Sequence, residues 1–253
     1  MKSRCNIFAM TVLATGLSYA PAHAQNGPDD TEKFSYSYIE AAYLRRDGGL
    51  NTQLIDGGLP SDISEGSGNG FAIRGSFEVD EGVYFFGAFE RETSDYDISA
   101  STGVDLLTGD FGVKYVSGRL GIGYYSQMSD NIDLFYQVGM SYSEFSAGTG
   151  SVTQLSDGTS MPIDLSDESQ GGFSGNAEVG ARARLAPRLE LEGSVFWQGV
   201  QRVVQEDADS LKLADDFGAK IGARFNINTV FSIGVEYHRS KLDRFLIVAR
   251  ARF

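Results

Sequence analysis

The sequence predicts an all-β chain: a single antiparallel up-and-down transmembrane β-barrel of ten strands, with eight as the alternative closure. Three observations lead there. Ten segments alternate apolar and polar residues with period two, which is the signature of strands and not of helices. The connections between them alternate between short turns and long polar stretches. The chain ends in RFLIVARARF, where Phe245, Ile247, Ala249, Ala251 and Phe253 share one face while Arg244, Arg250 and Arg252 share the other.

The chain of 253 residues begins with a secretory pattern. Lys2 and Arg4 supply a positive start, Ile7 to Leu17 an apolar run, and Ala22-His23-Ala24 a small-x-small cleavage site before Gln25. The run is too short to span a bilayer as a helix. Cys5 precedes it, so the lipoprotein arrangement is not expected. Cleavage near Ala24 would remove the only cysteine and leave His238 as the only histidine. A disulfide framework, a thiolate nucleophile and a multi-histidine metal centre are thereby excluded from the mature chain, and no metal or cofactor is expected. Residues 25–33 read as an N-terminal segment ahead of the barrel, which occupies 34–253.

Composition agrees with a sheet protein: Gly is abundant at 31, Phe and Tyr number 17 and 12, and Pro only 5. Pro28, Pro60, Pro162 and Pro187 fall in expected loops or turns, leaving the other segments their backbone donors.

Taken in order, the first strand sets Ile39, Ala41 and Tyr43 against Tyr38 and Glu40. The second sets Phe71, Ile73, Gly75, Phe77 and Val79 against Arg74, Ser76 and Glu78. In the third, Phe85, Gly87 and Phe89 oppose Glu90 and Glu92, although Tyr84 and Phe86 blur the phase. The fourth opposes Val116, Leu120, Ile122 and Tyr124 to Arg119, and the fifth opposes Leu134, Tyr136, Val138, Met140 and Tyr142 to Gln137, Ser141 and Ser143. The sixth carries Phe173, Ala177, Val179, Ala181, Ala183 and Leu185 against Asn176, Glu178, Arg182 and Arg184; the seventh carries Leu189, Leu191, Val195 and Trp197 against Glu190, Glu192 and Gln198. The eighth sets Phe217, Ala219, Ile221, Ala223 and Phe225 against Lys220 and Arg224, the ninth Phe231, Ile233, Val235 and Tyr237 against Ser232, Glu236 and His238, and the terminal stretch is the tenth. Residues 80–83, 127–132, 186–188 and 227–229 are expected as turns, and 46–69, 94–112, 147–171 and 201–212 as long loops, with a brief one at 239–242. Arg46 is thereby placed in a loop.

Alternation alone does not say which face meets lipid, but charge balance does. The polar face carries the acids Glu40, Glu78, Glu90, Glu92, Glu178, Glu190, Glu192 and Glu236 and the bases Arg74, Arg119, Arg182, Arg184, Lys220, Arg224, Arg244, Arg250 and Arg252. Near-equal numbers suit a narrow lumen, where buried charges must pair and arginine's planar fork serves several carboxylates. A lumen network is expected from Glu40, Arg74, Glu78, Glu90, Arg119, Glu178, Arg182, Arg184, Glu190, Glu192, Lys220, Arg224, Glu236, Arg250 and Arg252. The net charge of −13 instead concentrates at one rim, since residues 93–113 and 147–171 contain no Lys or Arg.

The terminal FLIVARARF resembles the C-terminal insertion signal of Gram-negative outer-membrane barrels, carried here by Phe245, Ile247, Ala249, Ala251 and Phe253. With YSYIEAAY near the mature start, the chain resembles the small OmpA-like and OmpX-like outer-membrane barrel superfamily. The resemblance implies export through the periplasm, residence in the outer membrane with 25–33 on the periplasmic side, recognition by the barrel assembly machinery, and contact with outer-membrane lipid and lipopolysaccharide.

No nucleic-acid partner is expected, because neither a basic patch nor a phosphate loop is present. His238 and Ser240, two apart on a strand, resemble the pair in outer-membrane lipid A deacylases, but only Asp243 follows where a glutamate would. Asp95 and Asp97, with Glu236 and His238, resemble the paired groups of ten-stranded outer-membrane proteases, yet acids in an acidic loop are ordinarily solvated. The expectation is a non-enzymatic barrel with a structural or surface-interaction role through acidic loops 46–69 and 147–171; the alternatives are a narrow pore for small solutes and an outer-membrane protease.

Overall fold

The computed structural model describes residues 34–47, 61–63, 67–101, 106–154, 160–164, 169–199, 216–240 and 243–253. The expected signal at 1–24, the segment 25–33 and the connection 201–212 lie outside them. The strands are β1 (Tyr38–Asp47), β2 (Ser61–Ile63), β3 (Ser67–Asp80), β4 (Val83–Ser101), β5 (Leu106–Ser129), β6 (Ile132–Gln154), β7 (Ser160–Asp164), β8 (Ser169–Ala186), β9 (Leu189–Gln198), β10 (Asp216–Asn226), β11 (Phe231–Arg239) and β12 (Asp243–Arg252).

Ten of these close a barrel. Each of β3, β4, β5, β6, β8, β9, β10, β11 and β12 pairs antiparallel with its neighbour, and β1 pairs with both β3 and β12. Closure runs through the chain ends: Tyr38 lies opposite Arg252, and the Phe253 amide donates to the Ser37 carbonyl at 3.2 Å. The wall has ten strands, so the eight-strand alternative does not apply. The short turns fall at one rim, where the only positive φ among the described residues belongs to Gly82, a conformation glycine adopts without steric cost.

Strand length divides the wall. β1, β9, β10, β11 and β12 have 10, 10, 11, 9 and 10 residues, about what a tilted strand needs to cross hydrocarbon. β4, β5, β6 and β8 have 19, 24, 23 and 18. The stretches 94–112 and 147–171, expected as loops, are therefore largely strand. Beyond the rim, β4, β5 and β6 continue as a sheet in which β2 and β7 pair with the outer ends of β4 and β6, giving the order β2-β4-β5-β6-β7. Backbone pairing among β4, β5 and β6 extends them past the rim. β1 likewise continues through Arg46, and β3 begins at Ser67.

The faces separate by polarity. Leu120, Val138, Met140, Val195, Ile221, Ile233 and Ile247 are exposed on the outside. So large a continuous apolar surface is untenable in water and natural in lipid. Toward the long-strand rim the outward apolar column ends in an aromatic on nearly every strand: Tyr43, Phe71, Phe89, Tyr142, Phe173, Trp197, Phe217, Tyr237 and Phe245. Toward the short-turn rim Phe77, Phe85, Tyr124, Phe225, Phe231 and Phe253 form the second girdle, as aromatic belts do at the two edges of a bilayer.

Candidate functional site

The lumen is filled in layers that the inward positions of β1 and its lead-in segment traverse in turn: Phe34 and Tyr36, then Tyr38 and Glu40, then Ala42 and Leu44, then Arg46.

The first layer is an aromatic plug at the short-turn end. Residues 34–37 tuck into the barrel mouth, where Phe34 and Tyr36 pack with Tyr84, Phe86, Phe135 and Tyr125. The Tyr36 ring stacks on Tyr125 with centroids 4.0 Å apart and on Tyr84 at 4.8 Å. The Arg182 guanidinium stands 5.0 Å from the Phe34 and Tyr36 rings, and Arg184 4.9 Å from Phe34, within cation–π range. Glycine makes room across the register: Tyr84 lies opposite Gly123 and Phe86 opposite Gly121. A Cβ at Gly123 would run into the Tyr84 ring, and one at Gly121 into Phe86. The blurred phase of the third predicted strand has this cause, since Tyr84 and Phe86 point inward and are buried.

The second layer is the charge network. Glu40 is 2.5 Å from Arg74, 2.9 Å from Arg250 and 3.7 Å from Arg224. Glu236 meets Arg74 at 2.9 Å, Arg224 at 3.6 Å and His238 Nε2 at 3.1 Å. Glu190 pairs with Arg252 at 3.1 Å and Arg182 at 3.3 Å, and accepts from Asn226 at 2.8 Å. Glu192 and Glu178 share the Lys220 ammonium at 2.9 and 2.7 Å. Arg224 stands at the hub, within 3.8 Å of Glu40, Glu190, Glu192 and Glu236. Glu40 and Glu190 are each only 1 % exposed; carboxylates so deeply placed need this density of cations. A cavity of about 50 Å³ remains beside the network, lined in part by Arg74, Arg119, Gln137, Glu178 and Lys220. It has room for a few waters.

Above lies an apolar patch of Ala42, Leu44, Ala72, Leu246 and Val248 on β1, β3 and β12, then a second set of ion pairs. There Arg46 meets Glu92 at 2.6 Å and Ser94 at 2.5 Å, and Arg244 meets Glu90 at 2.7 Å. Arg46 is thus a buried strand residue and not a loop charge; its inward, even position on β1 was the available signal.

Of the lumen residues read from the sequence, Glu40, Arg74, Glu178, Arg182, Glu190, Glu192, Lys220, Arg224, Glu236, Arg250 and Arg252 meet in the central network, while Glu90 pairs higher up. Glu78, Arg119 and Arg184 also face inward but join no ion pair among the described residues. Tyr125 donates to Glu78, and Arg119 lies 5.9 Å from the Phe86 ring. Leu246 and Val248 were missed because the terminal strand is apolar on both faces over that stretch. Phe245, Ile247, Ala249, Ala251 and Phe253 line the outward face of β12, with Phe253 47 % exposed.

Of the residues considered for catalysis, Glu236 and His238 meet, but Asp95 does not join them. Asp95 is exposed on the outward face of β4, whereas His238 points inward against Glu236 and Phe196. The side chain of Asp97 lies outside the described residues. Among the described residues no cluster of His, Cys, Asp and Glu forms a metal-holding group.

No protein-family model and no curated protein sequence matches the chain. Among solved structures, the translocator domain of autotransporter NalP from Neisseria meningitidis is similar with a TM-score of 0.55 at 13 % identity, over 97 % of this chain and 94 % of that one. The COG4313 outer membrane channel from Pseudomonas putida F1 aligns at 0.47 and 10 % identity, over 90 % of this chain and all of that one. The outer membrane protease OmpT from Escherichia coli aligns at 0.46 and 12 %, over 88 % of this chain and all of that one. The likeness is one of fold, and the lipid-compatible belt and the closed wall make this chain a transmembrane β-barrel with the fold of outer-membrane barrels.

Proposed function

We propose that the protein is a non-enzymatic outer-membrane scaffold, a barrel closed to solutes that holds a projecting β-sheet at the cell surface for interaction with partners outside. The observation that carries this reading is the length of β4, β5 and β6, about twice the membrane span. Barrels of this class face their longer connections outward, which sets the projecting sheet outside the cell and the short turns in the periplasm. The projection is acidic, because residues 93–113 and 147–171 hold no cation, and recognition residues commonly sit on segments held by a rigid scaffold. In this reading the terminal Phe245 to Phe253 stretch is what the barrel assembly machinery reads after export.

The absence of cysteine after Cys5 makes the test direct. Thr108→Cys and Thr153→Cys, in the projection, should react with a membrane-impermeant maleimide on intact cells. Asp130→Cys, in a short turn, should react only after lysis. The opposite pattern would reverse the orientation, and labelling of all of them only after lysis would remove the surface role. The plug and the network further predict no steady conductance in planar bilayers. Stable single-channel steps altered by Arg119→Ala would replace this reading with that of a pore.

A further inference from the structure

The cavity beside the charge network is not neutral. Five of the residues that line its roughly 50 Å³ are cations and three are carboxylates. The carboxylates are already engaged. Glu178 and Glu192 hold Lys220 at 2.7 and 2.9 Å, Glu178 also accepts from Ser194 at 2.6 Å, and Glu236 holds Arg74 at 2.9 Å. Arg119 joins no ion pair among the described residues, and the Phe86 ring 5.9 Å away is a neutral neighbour. The register shows where the imbalance falls. On the inward face Arg74 of β3 lies opposite Ala88 of β4, and Ala88 lies opposite Arg119 of β5. Two arginines therefore flank one methyl group, with their Cα atoms roughly 10 Å apart at the ordinary strand spacing. Beyond Arg119 the row continues with Ser141 and Ser174, which are also uncharged.

The polar groups left unmet in the lining are donors. The Nε–H groups of Arg74 and Arg182 and the hydroxyl of Tyr36 are buried without a hydrogen-bond partner, and all three residues line the cavity. Arg182 and Tyr36 are each only 3 % exposed. Buried donors call for an acceptor, and buried cations for a counter-charge. The charge required is small. Among the described inward side chains, Arg46 and Arg244 are balanced by Glu92 and Glu90 in the upper layer. In the central layer seven cations, Arg119 included, face five carboxylates. At the mouth Arg184 stands with Glu78 and the buried Asp133. One positive charge is left over.

We propose that the cavity binds one monovalent inorganic anion, chloride, between Arg74 and Arg119 over Ala88. A spherical ion accepts hydrogen bonds from every side, so it suits donors that converge from β1, β3, β5 and β8. Its single charge offsets the single excess, whereas sulfate or phosphate would overcompensate it. A space that holds a few waters holds one such ion. The ion acts as an internal counter-charge of the barrel and is independent of what the projecting sheet binds.

Mature protein folded in detergent is unfolded by heat in chloride, bromide or gluconate at one ionic strength, which keeps general screening equal. Crystals grown in bromide locate the ion by its anomalous scattering. Exchange of gluconate for chloride should raise the midpoint by at least about 3 °C, and a bromide peak should lie between Arg74 and Arg119. Arg119→Gln should lose both signals while remaining heat-modifiable on gels. Ala88→Asp sets a fixed carboxylate between the two arginines. It should be as stable in gluconate as the wild type is in chloride, and should no longer respond to halide; it decides the matter even where Arg119→Gln does not fold. Arg184→Gln, at the mouth, should keep the full response. Equal wild-type midpoints in chloride and gluconate, a halide response retained by Ala88→Asp or by folded Arg119→Gln, or a cavity that holds only water in bromide-grown crystals overturns the proposal.

Discussion

The two sides of the barrel wall are built to different lengths. β9 to β12 and β1 stop where the bilayer stops, at 9 to 11 residues, and their inward faces carry most of the long charged side chains. β4, β5 and β6 run on to about double that length, and their inward faces within the span hold Gly121, Gly123, Gly139, Ser117, Ser141 and Ser143 beside the aromatic plug. The first side fills the lumen and the second leaves it room, because arginine and glutamate chains reaching inward from β1, β9, β10 and β12 need small residues facing them at close-packed density. The second side also supplies the hairpins that leave the membrane. Under the proposed function, stability and surface display therefore fall to different strands.

That division can be broken in several places. The largest effect is expected at the hub: Arg224→Ala leaves Glu40, Glu190, Glu192 and Glu236 short of a shared cation and should lower unfolding stability in lipid by about 3–5 kcal/mol. Arg46→Ala, which strands the buried Glu92, should approach the lower end of that range, whereas Arg188→Ala in an exposed turn should leave the urea midpoint unchanged. If Arg46 and Arg188 behave alike, the upper ion-pair layer contributes nothing.

Next comes a contrast within one strand. Leu120→Arg, 73 % exposed on the lipid face of β5, should cost about 2–4 kcal/mol and slow insertion into vesicles. Thr108→Arg, on the same strand beyond the girdle, should cost nothing measurable. Comparable penalties at both would place the projecting part of β5 inside the membrane. The Val179→Arg variant on β8 should resemble Leu120→Arg.

The smallest effect on the barrel is expected from removing the projection. Replacing residues 96–109 by a tight turn should leave the unfolding midpoint and heat-modifiable migration unchanged while abolishing any surface interaction. A substantial loss of stability would mean that the sheet beyond the rim helps to hold the barrel closed.

Much of the barrel was legible because lipid imposes a strict rule: an outward position in the span must be apolar, an inward one need not be, and successive residues alternate. Val116 to Tyr124 and Leu134 to Tyr142 obey it, and so their phase and inward partners could be read directly. Where the rule lapses, the reading lapsed. In 94–112 and 147–171 a polar composition rich in Ser, Thr, Gly and Asp hides the strands even though Tyr96, Ile98 and Ala100 alternate with Asp95, Asp97 and Ser99, and in Leu246 and Val248 an inward position happens to be apolar.

The sequence by itself determined the all-β class, the turn positions and the inward side of the spanning strands, since these follow from local periodicity; that ten strands and not eight close the wall was settled by the pairing of β1 with both β3 and β12. Only the tertiary structure decided which charges meet, because Glu40 and Arg224 are brought together from distant strands by the closure of β1 on β12. It also decided that Phe34 and Tyr36 fold back to plug the mouth and that β2 and β7 attach to the ends of β4 and β6. Those are matters of register and closure, which depend on the whole circuit of strands and leave no mark in the alternation of any one of them.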